Sequence, residues 1–439
     1  MEQTVRLGVA RKVITPKVGG QLYGYTPDIF SESVYDDLTL SAFCFEDEGE
    51  RVLFMSATVC LIKTELYEEI ASVVEERFGI PKDHVILHAT HTHSGPNLAG
   101  EAGWGDLDRE YYEAIFLPAL LSAVEEAMGH TVPVKMGVAS GHSEIAINRR
   151  ELHNDTNQAH LGQNPWGPFD PQMTVLSFKD LQGNTVANLV HYGMHGTCAG
   201  QNHEITRDWS GLMIDAMERE SEGITAFFNG PEGDVGPRLS NGKTTAEGDN
   251  KIQYVEEMGA IAAADALRIF QSVSDYQPVR LSFASCTVDV PLTSRIDRET
   301  AEREYEKYKD STVNLGGARA VYYRTQLRLY EEGYADQAAR RVPQSILRIG
   351  DVAFASFPYE LFSVIGMRIA RESEIPYTLS LSNTNGSEGY MVTEDQICRS
   401  GYEVKMFKTG YIQPYADNAD WHLVTQTVEN LKKISKKGE

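Results

Sequence analysis

Short, uninterrupted apolar runs alternate along the chain with stretches of helical spacing. "RVLFMSATV" at 51–59 is apolar almost throughout, which predicts a strand buried on both faces. From Thr64 the period changes. Leu66, Ile70, Val73 and Val74 recur on one face, so a helix capped by Thr64 is expected through Phe78, with Gly79 ending it. "HVILHAT" at 84–90 is a second apolar strand. Strand, helix and strand with short links make a βαβ unit, most simply parallel with a right-handed crossover. Ligands in such sheets gather beyond the carboxyl ends of the strands.

The pattern continues with a helix from about Asp108 to Met128, the strand "VPVKMGVASG", and "MTVLSFKDLQGNTVANLVHYGMH" as two strands turning at Gln182-Gly183-Asn184. A helix after Trp209 leads into the strand "TAFF" and the loop "NGPEGDVGP" at 229–237. Helices are expected near 251–272 and 297–332, the second interrupted at Gly316-Gly317, followed by two strands in "SILRIGDVAFASFP". A helix at 420–434, with Trp421, Val424, Val428 and Leu431 on one face, closes the chain. The alternation has no Pro/Ser-rich linker. It predicts one large α/β domain over 1–439, a mixed, partly parallel β-sheet flanked by helices, with a possible subdomain break near Gln277.

Composition narrows the function classes. The 439 residues are 41% hydrophobic, enough for a large core. A net charge of -23, from 63 acidic against 40 basic residues, argues against nucleic acid or an anionic membrane surface as partner and leaves a neutral or cationic small molecule. No run approaches the roughly 20 apolar residues of a membrane span, and the N-terminal segment lacks a signal-peptide core, so no membrane insertion and a cytoplasmic location are expected. The five cysteines are far apart with no CxxC pair, which suggests reduced thiols rather than disulfides or a thiolate zinc knot. A homo-oligomer is compatible with these numbers.

The candidate chemistry lies at strand ends. In "HATHTHSGP", residues two apart in an extended segment face the same way, so His91 and His93 can serve one site; hydrogen-bonded structural histidines are the competing reading. "HYGMHGT" repeats the arrangement with His191 and His195. "NGPEGDVGP" displays Glu232 and Asp234 on what is otherwise an ordinary turn, and Glu360 in "FPYELF" follows a buried strand, where a helix-start role is also open. Two histidines from distant strands plus a carboxylate make a familiar zinc set with a position left for water.

These blocks resemble the neutral, non-lysosomal ceramidases and their bacterial relatives. "ATHTHSGP" is that family's most specific motif. "GVARKVITP", "INRR", "FDPQMTVLSF", "HGT" with "TRDWSG", "NGPEGDVGP", "FPYE" and "GYMVTE" follow in the family's order over nearly the whole chain. The resemblance implies one Zn2+ held by His91, His195, Glu360 and Tyr390, with His195 preferred to His191 because "HGT" stands where the family has "HPT". It implies His93 as a group behind the metal, steadying an oxyanion or water, and Arg149 as the pocket arginine that meets a substrate oxygen.

Three departures stand against the family pattern. Gly236 occupies the position of a serine proposed to act in amide cleavage, Tyr359 replaces a glycine beside Glu360, and the immunoglobulin-like C-terminal domain and signal peptide of the ceramidases are expected to have no counterpart. The expected function is therefore a zinc-dependent, ceramidase-like hydrolase of an amide, ester or lactone carbonyl in a small-molecule substrate, using metal-activated water. Glu232 or Asp234 would serve as general base, Glu232 preferred; a carboxylate capping the next turn is the alternative role. The alternatives are a true N-acylsphingosine amidohydrolase and a catalytically silent metal- and ligand-binding homologue.

Overall fold

The computed structural model describes residues 4–153, 155–239 and 252–435. A nine-stranded mixed sheet runs in the order Ile224–Asn229, Thr185–Tyr192, Gln172–Asp180, Val132–His142, Arg6–Val13, Thr39–Asp47, Glu50–Ala57, Val85–Ala89, with Gln277–Pro278 paired onto Val132–His142. Only the two outermost pairs are parallel: Leu53 lies opposite Val85 on one edge and Ala187 opposite Ile224 on the other. Each is closed by a helix, Thr64–Phe78 or Trp209–Ser221, so each edge is a βαβ unit. The first of these is the unit that the apolar runs predict.

The sheet curls until its two edges meet. Phe54 stacks on Phe228 with ring centroids 4.0 Å apart, and Ser56 Oγ donates to the Phe227 carbonyl at 2.7 Å. A second sheet, Leu281–Pro291, Ala339–Ile349, Val352–Ser356 and Tyr377–Leu381, packs over this junction. Its Phe354 lies 5.0 Å from Phe54 in the same buried cluster. Burial of each of these rings contributes on the order of 2–3 kcal/mol. The chain crosses from one sheet to the other at 277–281, near the expected break, but both sheets share one core. Among the described residues no helix is long and apolar enough to cross a membrane.

Several local expectations change. Thr64 is the first helical residue rather than the cap, and its hydroxyl is spent on the Glu388 carboxylate at 3.0 Å. The helical pair Arg298–Tyr308 and Asn314–Glu331 breaks before the glycines, not at them. Gly317 sits inside the second helix because a Cβ there would meet Gly103 Cα at 2.9 Å. In the last helix, Ala419–Ser435, Val424, Val428 and Leu431 are buried, but Trp421 is 46% exposed and stacks under Arg368 at 4.0 Å. The apolar pattern does not announce the first strand or its neighbour Thr39–Asp47, nor the hairpin Ala146–His153 with Gln158–Asn164, nor the helix Ser363–Glu372 and strand Tyr377–Leu381.

Candidate metal centre

Because both parallel edges end at the same place, three chain segments leave the main sheet side by side, after Ala89, Tyr192 and Asn229. Asn229 fastens them. Its fully buried amide donates to the Thr90 and Met194 carbonyls, each at 3.1 Å, and accepts the Met194 N–H at 3.1 Å. Its own backbone N–H donates to His88 Nε2 at 2.8 Å. His91, His195 and Glu232 follow within a few residues of these three fixed points.

His91 adopts a left-handed backbone, φ 69°, which costs a β-carbon residue on the order of 1 kcal/mol or more. That twist, not strand alternation, aims its ring. Its Nδ1 lies 3.1 Å from the Cys60 carbonyl, so the ring proton is donated there and Nε2 faces inward as a bare lone pair. His195 is arranged the same way, with Nδ1 2.8 Å from the Glu232 carbonyl. It lies beyond its strand, three residues past Tyr192, so it does not share strand parity with His191. His191 instead ties the two sheets together through Nε2 and the Ser380 carbonyl at 2.9 Å, away from the cluster.

Glu360 arrives from the second sheet's side. It sits in a two-residue strand directly opposite Tyr390. Its Oε2 is 3.4 Å from His91 Nε2 and 3.1 Å from His195 Nε2. Since both imidazole protons are spent on carbonyls, these are three facing acceptors rather than hydrogen bonds. Three buried lone pairs at such distances repel unless a cation lies among them. Burial would lower His91 and raise Glu360, but a proton held between them in place of a cation lifts the His91 pKa well above its ordinary value, with Cys60 also favouring it, and holds Glu360 well below the usual carboxylate range. Burial lowers His195 to about 3, with Arg149 and His91 adding to the effect. Two imidazole nitrogens and a carboxylate oxygen converge here, His195 Nε2 and Glu360 Oε2 without a hydrogen-bond partner among the described residues, a donor set that suits Zn2+.

His93 closes the fourth side, its Nε2 3.2 Å from His91 Nε2. Its ring is held from behind by Gly24, φ 130°, where a Cβ would come within 2.4 Å of His93 Nδ1, and by the edge of Tyr25 at 5.0 Å. Burial and the two neighbouring imidazoles keep His93 neutral, well below its ordinary pKa. Arg149 donates from Nη2 to the Tyr390 oxygen at 2.9 Å and from Nε to Glu403 at 3.1 Å. Burial and the Glu360 charge push the Tyr390 phenol well above its ordinary pKa, and the Arg149 guanidinium opposes them.

The two loop carboxylates part company. Glu232 is fully buried, its Oε1 accepts from Asn383 Nδ2 at 2.7 Å, and its Oε2 has no hydrogen-bond partner among the described residues. Burial pushes its pKa up to about 8, against the nearby His91. Asp234 is spoken for. Its oxygens accept the Ser363 backbone N–H at 2.7 Å, the Ser363 hydroxyl at 3.3 Å and Asn148 Nδ2 at 3.1 Å, which anchors the helix Ser363–Glu372. Gly236 is buried in a short strand opposite Ile147. Tyr359 does not crowd Glu360; its hydroxyl turns to Tyr415 at 3.1 Å.

Residues 6–259 match the model of the neutral/alkaline non-lysosomal ceramidase family, N-terminal. The chain belongs to that family. Neutral ceramidase A of Dictyostelium discoideum is 30% identical over 82% of this chain and 64% of its own length. The neutral ceramidase of Pseudomonas aeruginosa is 25% identical over 52% of this chain and 36% of its own length. The chain thus spans less than two thirds of the curated ceramidases it matches. A solved structure described as "Ceramidase complexed with C2" shares the fold, with a TM-score of 0.75 at 19% identity, covering 99% of this chain and 76% of that one.

Asn229 and Glu403 carry much of this geometry and were not singled out by sequence. Asn229 opens the "NGPEGD" loop and reads as a turn residue. Glu403 sits among apolar helix positions beside Val404 and Phe407, a buried charge that helical spacing alone would flag.

Proposed function

We propose that the protein is a zinc-dependent hydrolase of an amide, ester or lactone carbonyl in a small substrate. The approach of Glu360 Oε2 to His91 Nε2 at 3.4 Å and to His195 Nε2 at 3.1 Å supports this reading most directly. These three residues would hold the ion, with Tyr390 as a fourth ligand. When bound, zinc supplies Lewis-acid polarisation of a carbonyl and lowers the pKa of water towards ~7. The chain's own residues do the rest. Glu232 Oε2 has no hydrogen-bond partner among the described residues and can hold or release a proton at the reacting centre, the task of a general acid or base. His93 is a neutral imidazole fixed by Gly24 and Tyr25, placed to donate to an oxygen bearing developing charge. Arg149 is fixed by Glu403, so its charge is aimed before substrate arrives. Gly236 offers no side chain, which assigns the attack to water rather than to a protein nucleophile. The test is hydrolysis of a panel of short acyl amides, esters, lactones and short- and long-chain ceramides, with and without chelator. Chelator-sensitive turnover of at least one member supports the reading; zinc-replete protein inert on all of them refutes it.

A further inference from the structure

A cavity of about 260 Å³ is lined by residues outside the metal-facing cluster. It reaches Gly389, whose carbonyl accepts the Glu360 backbone N–H at 2.9 Å. Trp104, Tyr322, Met406 and Tyr411 wall it, with one side supplied by the helix Asn314–Glu331. Gly103 seats that helix, its carbonyl accepting the Asn314 N–H at 2.6 Å.

Glu101 lies on this wall without a cation. Its Oε2 accepts from Tyr23 Oη at 2.9 Å and its Oε1 from Ser387 Oγ at 3.5 Å, and no Lys, Arg or His pairs with it among the described residues. The other acid of the cavity, Glu388, is already neutralised by Arg340 and bonded to Thr64. Aromatic faces attract an organic cation through their quadrupole, and a carboxylate adds a charge-assisted hydrogen bond. A purely alkyl chain gains nothing from Glu101 and must strip its water. The field of a chain with net charge -23 also concentrates cations.

We propose that Glu101 and this cavity form an ammonium subsite, so that the substrate class is acyl compounds carrying a cationic nitrogen. The subsite rests on the hydrolase reading only for the identity of the neighbouring reaction. The wall continues from Glu101 through Ser387 and Glu388 to Gly389, the backbone partner of Glu360, so the cationic end of the substrate lies on the Glu360 side of the cavity.

The test separates binding from turnover. Calorimetric titration of the purified protein compares pentylammonium with pentanol, a neutral probe of the same shape. The wild type should bind the ammonium at least about tenfold more tightly. Glu101→Gln should erase that preference, as should Ser387→Lys, which brings a fixed cation to the same carboxylate. Tyr23→Phe, which leaves the carboxylate in place, should keep it. Equal affinities in the wild type, or a preference that survives both Glu101→Gln and Ser387→Lys, would overturn the proposal. A second arm compares hydrolysis of mono-N-acetyl diaminobutane with that of N-acetylpentylamine. Faster turnover of the cationic amide supports both readings. Ammonium preference in binding with no turnover of either upholds the subsite and counts against the hydrolase.

Discussion

Asn229→Ala removes the amide that fastens three strand ends beneath the centre. The substitution leaves the Thr90 carbonyl, the Met194 carbonyl and the Met194 N–H without their partner, all in a fully buried position. Each orphaned buried group costs about 1–3 kcal/mol. A water entering the vacated volume can restore part of this, so the net loss should be about 3 kcal/mol or more. The loss should also reach the metal. His91 follows Thr90 directly and His195 follows Met194 directly, so slack at either point moves a ligand; outer-shell losses of this kind weaken metal binding about 10–100-fold. Urea unfolding of metal-free protein measures the first effect and zinc titration of the folded variant the second. Asn229→Asp keeps the acceptor for Met194 N–H but turns an oxygen towards two carbonyls, and should be no better than alanine for zinc. A loss below about 1 kcal/mol together with unchanged zinc affinity would refute the fastening role.

Other consequences are separable from this one. Asp234→Asn should destabilise the fold by about 1–3 kcal/mol, since it replaces an acceptor of the Ser363 N–H, yet retain turnover, whereas Glu232→Gln should fold and lose turnover by about 100-fold or more in steady-state assays. Glu403→Gln removes the charge that Arg149 and Arg150 share at 3.1 and 2.5 Å and should cost about 3–5 kcal/mol in urea denaturation. His88 is fully buried and accepts the Asn229 N–H, and burial lowers its pKa to about 3. The folded state therefore resists a proton that the unfolded chain takes up below about pH 6.5, so its stabilising contribution is complete above that pH and is lost as pH falls towards 3, by roughly 1.4 kcal/mol per pH unit. The urea midpoint of the wild type should fall more between pH 7 and pH 5 than that of His88→Gln, and equal falls would count against it. Gly24→Ala should displace the His93 ring, with a Cβ 2.4 Å from Nδ1 and a backbone φ of 130°, and lower kcat rather than zinc content.

The apolar runs at 51–59 and 84–90 were legible because parallel strands buried on both faces admit few polar residues, and the helix between them kept its period. The edge-to-edge curl was not legible. It depends on Phe54 meeting Phe228 across 174 positions of chain, a pairing no local period records. At the site, His91, His195 and Glu360 were named from motifs and converge. His91 and His93 do face one site, but through a left-handed backbone at His91 rather than strand alternation, a twist that strand spacing cannot reveal. Asp234 looked equivalent to Glu232 in a Gly/Pro-rich loop, and only the position of Ser363, 129 residues on, separates an anchor from a free carboxylate. Asn229 and Glu403 work through backbone carbonyls and buried arginines, partners that residue type alone does not announce.

If His91, His195 and Glu360 form a zinc site, zinc affinity must depend on the Glu360 carboxylate. Zinc titration of metal-free wild type and of Glu360→Gln, followed by calorimetry and elemental analysis, tests it directly. The wild type should bind about one zinc per chain and the variant at least about a hundredfold more weakly, as expected for loss of one ligand from an N/O set. Equal zinc binding by the two proteins, or none by either, would contradict it.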